Sequence, residues 1–159
     1  MLPIANTDNE SLVIAGGDDN SLSLTRFWVA PTSSESDTSK TSVMATLRIL
    51  KAHASTVTAI AILPPSSPSD KMTPRSRPLH QFTLLSSGTD QRLKVWEVRL
   101  DIWKAGVEGI EVRRIANEPT SVADVSDMDV FVDEGTRRVI VCGVGMEVWT
   151  VDPDGTLCS

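Results

Sequence analysis

From Leu84 to Val98 the chain reads LLSSGTDQRLKVWEV, and apolar and polar positions succeed one another in a pattern that predicts two strands joined by a tight turn. Leu84 and Leu85 are apolar, Ser86 and Ser87 are small, and Gly88-Thr89-Asp90-Gln91 supplies turn chemistry. Leu93, Val95 and Val98 then interleave with Arg92, Lys94 and Glu97, as in a strand with one buried face. Trp96 falls on the polar phase of that alternation, so it needs a separate reason to be there.

Similar units lie on either side. Ser11 to Ala15 predicts a short buried strand, Gly16 to Asn20 a turn, and Ser21 to Val29 the next strand. Pro31 to Ser42 is rich in Ser and Thr with almost no apolar side chains, which predicts a surface loop. Met44 to Leu50 reads as an outer strand opening a second unit. Ala52-His53 then precedes an inner strand from Val57 to Leu63, and the proline-rich stretch Pro64 to His80 reads as an irregular insertion. Gln81 to Ser87 and Arg92 to Val98 complete this unit. In the third, Val107 to Ile115 reads as the outer strand and Val122 to Val132 as an alternating strand. Arg138 to Cys142 and Met146 to Val151 flank Gly143-Val144-Gly145, and Asp152 to Gly155 is turn chemistry. No segment holds a helical period over the roughly 10–12 residues a helix needs. The fold class is all-β. The chain divides into an incomplete unit at 1–29, a linker at 30–43, the best-formed unit at 44–98 with its insertion at 64–80, and a degenerate last unit at 99–159.

A small residue and His, two strands, a turn Asp, and a strand ending in Trp-acidic together resemble a WD repeat, the four-stranded blade of a β-propeller. The resemblance implies a partial propeller of about three blades, since each blade takes about 40–45 residues. A ring of fewer than about four blades is not expected to close, so the chain is expected to be part of a longer protein. It also implies a hydrogen-bonded set made of His53, Ser86, Asp90 and Trp96. The Asp carboxylate accepts from the imidazole, the imidazole engages the hydroxyl, and the hydroxyl accepts from the indole N–H. The first unit keeps Asp19 in its turn but has Thr25 where Trp would stand, with Trp28 three residues on. The second has Ala52 where Gly is usual and ends Trp96-Glu97. The third has Trp149-Thr150 and a shortened turn without Asp.

His, Ser and Asp together also invite a hydrolytic triad. The chain offers no Gly-x-Ser-x-Gly elbow and no oxyanion-hole segment, and a Trp partner suits a structural network better. The expectation is therefore a scaffold and not an enzyme.

Composition narrows the choices further. The 159 residues carry a formal charge of −6, which disfavours holding bare nucleic acid. The basic pairs Arg75/Arg77, Arg113/Arg114 and Arg137/Arg138 are scattered, as on solvated faces. Cys142 and Cys158 have neither disulfide nor zinc spacing, which fits a reduced cytoplasmic protein. The start of the chain is polar, unlike a signal peptide, and no apolar run nears the roughly 20 residues of a membrane span. Asp124, Asp127 and Asp129 do not have the spacing of an EF-hand loop and read as polar strand positions, so no metal is expected. His80, beside the proline-rich stretch, reads as a surface residue. With no glycine-rich loop in a βαβ setting, neither a cofactor nor a small-molecule substrate is expected.

Two blocks resemble something narrower than a generic WD repeat. Ser121 to Phe131, SVADVSDMDVF, followed by CGVGMEVW at Cys142 to Trp149, resembles the C-terminal end of the WD-repeat protein six family. That family partners the ribose methyltransferase acting on the wobble nucleotide of tRNA. SSGTDQRLKVWEV resembles the same family's penultimate repeat, and Ala123 to Asp129 is the most specific piece. The resemblance implies an accessory subunit with a protein partner, the catalytic methyltransferase subunit, and with tRNA engaged only indirectly. The alternative is a generic WD-repeat interaction scaffold in another intracellular complex.

Overall fold

Alternating sequences become strands where one phase finds a neighbouring sheet to bury against. In the computed structural model, which describes residues 2–3, 10–29, 41–63, 79–104 and 106–158, this happens three times over. Most of the expected loop at 31–42 and of the insertion at 64–80 lies outside the described residues. The last two positions of each are strand.

The first sheet has the order β1 (Leu2–Pro3), β2 (Glu10–Gly16), β3 (Leu22–Val29) and β4 (Thr41–Ile49). The second has the order β5 (Val57–Leu63), β6 (Leu79–Gly88), β7 (Arg92–Asp101) and β8 (Ile110–Pro119). In the third, β9 (Ala123–Asp133) pairs with β10 (Thr136–Val151), and β10 with β11 (Leu157–Cys158). All pairings are antiparallel. The helical element among the described residues is a single 3-10 turn, Val107–Gly109. The protein is all-β, in three antiparallel sheets arranged as in a partial propeller.

The sheets and the sequence units are one strand out of step. Met44 to Leu50, read as opening the second unit, lies up to Ile49 in β4, which pairs with β3 in the first sheet, Leu24 opposite Leu47. The strand read at Val107 to Ile115 for the third unit starts later, as β8, and pairs with β7 in the second sheet, Val98 opposite Val112. Each such strand takes the hydrogen-bonding edge left free by the strand before it, an edge that alternation within a single strand does not reveal.

β10 does not run straight. Sixteen extended residues would span roughly 50 Å. Yet the Arg137 guanidinium, at one end, hydrogen-bonds to the carbonyl of Asp152, just beyond the other. The strand therefore doubles back, and Gly143-Val144-Gly145 is where it can, with Gly145 at φ 112°. The arms are the two short strands read from the sequence, and Trp149 stands on the returning one.

Two apolar cores separate the sheets. Leu12, Leu22 and Leu24 of the first sheet meet Leu84, Trp96, Val98 and Leu100 of the second. Leu85, Leu93 and Val95 from the other side of the second sheet meet Val125, Met128, Val139, Val141 and Trp149 of the third. The second sheet is thus covered on both faces, and this accounts for Trp96: the phase read as polar faces the first sheet and not water.

The two junctions repeat one backbone device. Asn20 (φ 66°) and Gln91 (φ 55°) hold corresponding turn positions, donating their N–H groups to the carbonyls of Gly17 and Gly88, both at 3.1 Å. The Asn20 carbonyl accepts the His53 N–H at 3.2 Å, and the Gln91 carbonyl accepts the Thr120 N–H at 3.0 Å. His53 and Thr120 are therefore equivalent positions, each tying the loop that enters one sheet to the turn of the sheet before it.

Candidate functional site

The loop preceding β5 carries His53, β6 carries Ser86, the β6–β7 turn carries Asp90, and β7 carries Trp96. Folding brings all four together. Asp90 Oδ1 lies 2.9 Å from His53 Nδ1, His53 Nε2 lies 2.8 Å from Ser86 Oγ, and Trp96 Nε1 donates to Ser86 Oγ at 2.8 Å. Asp90 Oδ2 also accepts the Ala54 N–H at 2.9 Å. One proton arrangement satisfies every bond: Nδ1–H donates to the carboxylate, the Ser86 hydroxyl donates to Nε2, and the hydroxyl oxygen accepts the indole N–H. Burial depresses the His53 pKa, outweighing Asp90, which acts to raise it, so the neutral imidazole this arrangement needs is favoured. Burial alone would raise the Asp90 pKa. The Ala54 N–H, His53 and Lys94 outweigh it and hold the carboxyl below its ordinary value.

Gly88 permits the close approach, since a Cβ there would lie 2.4 Å from the Thr56 carbonyl oxygen. Lys94, read as a solvent-side position, is buried instead: its Nζ donates to the Ala52 carbonyl at 2.6 Å and sits 3.9 Å from Asp90 Oδ2. Burial lowers its pKa.

Chemically, the set is closed. Ser86 is 0% exposed and His53 2%, so no substrate reaches the hydroxyl, whose oxygen already holds the Trp96 N–H. What the set can do is join four chain segments. Asp90→Ala is expected to lower stability by about 1–3 kcal/mol, because it strips the acceptor from His53 and from the Ala54 N–H. Urea unfolding with an unchanged m-value checks this.

A pH dependence follows from His53. Its folded pKa lies below the ordinary 6.5, so the unfolded chain binds more protons as the pH falls through that value. Stability is therefore expected to be full above that value and to decline as the pH falls below it towards the depressed folded pKa. Half-buried His80 shifts in the same direction, so the measurement belongs in a His80→Gln background, where His53→Gln should flatten the slope.

The other singled-out residues go elsewhere. Asp19 accepts from the N–H and hydroxyl of Ser21, at 3.1 and 2.5 Å, and pairs with Arg48. Thr25, in the place of Trp, meets Thr46 hydroxyl to hydroxyl at 3.1 Å. Asp127 and Asp129 are exposed, each accepting the backbone N–H of the next residue at 2.8 Å. His80 is not a surface residue. It is half-buried in β6 opposite Leu100, with Nε2 buried, because the strand extends past the proline-rich stretch. Cys142 and Cys158 are free thiols.

Two polar centres were not anticipated from the sequence. In the third sheet, Glu147 Oε2 accepts from Thr120 Oγ1 at 2.6 Å, the Ser121 N–H at 3.1 Å and Trp149 Nε1 at 3.2 Å. Burial would raise the Glu147 pKa, but these donors hold it below the ordinary range. Glu147 precedes Trp149 by two residues, as Lys94 precedes Trp96. That matched spacing was the signal in the sequence. The second centre is Arg26, with its side chain 0% exposed, paired with Glu10 at 3.0 Å and donating to the Lys104 carbonyl at 3.0 Å. Its signal was an arginine on the apolar phase of Leu22 and Leu24.

Antiparallel sheets stacked face to face, each tied to the turn of its predecessor, define a repeat protein of propeller type. Residues 44–97 match the family of the WD domain, G-beta repeat, a span that contains all four members of the buried set. A WD repeat of this kind supports a role in protein–protein interaction. No curated protein matches the chain.

Proposed function

We propose that this chain is a non-catalytic scaffold that docks a protein partner, and that the partner is the catalytic subunit of a tRNA ribose 2'-O-methyltransferase acting on the wobble nucleotide. The observation that carries the scaffold reading is the sealed set in the WD repeat, which spends His, Ser and Asp on internal bonds. The methyltransferase assignment rests on the resemblance of Ala123 to Asp129 and of Ser86 to Val98 to the WD-repeat protein six family. The location of Asp127 and Asp129 on an exposed strand surface supports it, since solvent-facing carboxylates suit a partner's basic groups. The acidic chain, at −6, fits indirect engagement of tRNA from a cytoplasmic complex. Co-purification with a methyltransferase, with ribose methylation mapped at the wobble position in a deletion strain, tests the assignment. The account predicts loss of that methylation. Unchanged methylation refutes it and leaves the generic interaction scaffold.

A further inference from the structure

We propose that Trp28 and Trp103 dock an arginine-bearing segment of a protein partner, at one corner of the junction between the first and second sheets. This rests on the scaffold reading above, but not on the partner being a methyltransferase subunit. Of the chain's four tryptophans, Trp96 and Trp149 are buried, each with its N–H bonded inside its own sheet. The other two stand out: Trp103 is 71% exposed and Trp28 39%.

Both indoles belong to the same corner. Trp28 shares the β3 phase of Leu22, Leu24 and Arg26, so it faces the second sheet, and it lies opposite Glu10. Two residues away, the buried Arg26 pairs with Glu10 and donates to the carbonyl of Lys104, the residue after Trp103. The 3-10 turn completes the corner, since a Cβ on Gly109 would lie 2.9 Å from Arg26 Nη1. It carries the exposed Val107 and Glu108. The buried ion pair is thus ringed by Trp28, Trp103, Val107 and Glu108. The backbone under Trp103 is also pinned: its N–H donates to Asp101 Oδ1 at 3.1 Å, and the Lys104 N–H donates to the Asp101 carbonyl at 3.2 Å. A rigid indole on a fixed turn binds with little loss of freedom.

The chemistry of the corner selects the occupant. An indole face attracts a cation more strongly than other aromatic rings do, and a guanidinium stacks on it as an ammonium does not. The Glu108 carboxylate offers that cation an ion pair, and the chain's charge of −6 draws basic segments towards it. Lys104, exposed on the same turn, opposes this attraction, which leaves the indole faces as the larger contribution. An acidic or uncharged segment gains neither contact.

Calorimetric titration of the full chain with a peptide of alternating glycine and arginine tests this, beside the same peptide with neutral citrulline for arginine. The arginine peptide should bind and the citrulline peptide should not. Trp103→Leu keeps an apolar side chain without the π face and should weaken binding about 2- to 30-fold, with Glu108→Gln acting in the same direction. Asp127→Asn with Asp129→Asn should leave the affinity unchanged. So should Gln in place of Lys71, Arg75 and Arg77; tighter binding there would assign the corner to the chain's own cations and overturn the proposal. Equal affinity in Trp103→Leu, equal binding of the two peptides, or no binding at about 1 mM also overturns it. The titration does not read ribose methylation, so its failure and that of the methyltransferase assignment are told apart.

Discussion

Replacing Trp96 by alanine is expected to destabilise the protein by about 3–5 kcal/mol, the range for deleting a large buried aromatic side chain. The indole is 5% exposed and packs in the core between the first and second sheets, near Leu22, Leu24 and Leu84. Alanine removes those contacts and leaves a cavity, and it also removes the N–H that the Ser86 hydroxyl oxygen accepts. Domains of this kind are stable by only about 5–15 kcal/mol, so the loss takes a large share of the total. Trp96→Phe keeps most of the packing while deleting the donor, and should cost less. Urea midpoints for both variants separate the packing contribution from the hydrogen bond.

Arg26→Ala is expected to cost a similar amount, about 3–5 kcal/mol, through a different mechanism. Arg26 carries a buried charge from β3 to the Glu10 carboxylate and to the Lys104 carbonyl beyond β7. Truncation leaves the carboxylate, on a side chain 12% exposed, without its counter-charge, and opens space beside Gly109, where a Cβ would lie 2.9 Å from Arg26 Nη1. Arg26→Met preserves volume on the apolar phase and should be milder. If Arg26→Ala unfolds at the midpoint of the unsubstituted protein, the buried pair has no structural role.

The turn at Asp90 and the alternation from Leu93 to Val98 marked β6 and β7 clearly, because hairpin chemistry and period-two patterning are local. His53, Ser86, Asp90 and Trp96 were legible through the resemblance of this unit to a WD repeat, with Trp96 marked in addition by its unexpected phase. Sheet membership was not legible. β4 and β8 are ordinary alternating strands, and the edge each joins depends on which neighbour leaves an edge open. Lys94 was hidden by a further effect. In a sheet covered on both faces, alternation no longer separates core from solvent, so a cation on either phase can be buried if a carbonyl or carboxylate meets it. Thr120 and Glu147 form the third sheet's counterpart of the His53 set from different residue types. Comparing positions with His53 finds it, whereas searching for the same residues does not.

That the His53 set acts as one connected unit is the central claim, and a double-mutant cycle tests it most directly. Asp90 and Trp96 are joined through His53 and Ser86. Unfolding free energies of Asp90→Ala, Trp96→Phe and the double variant should depart from additivity by about 0.5–3 kcal/mol, the double costing less than the sum. Strict additivity would contradict the account, leaving Asp90 and Trp96 as two independent contributions that happen to share a blade.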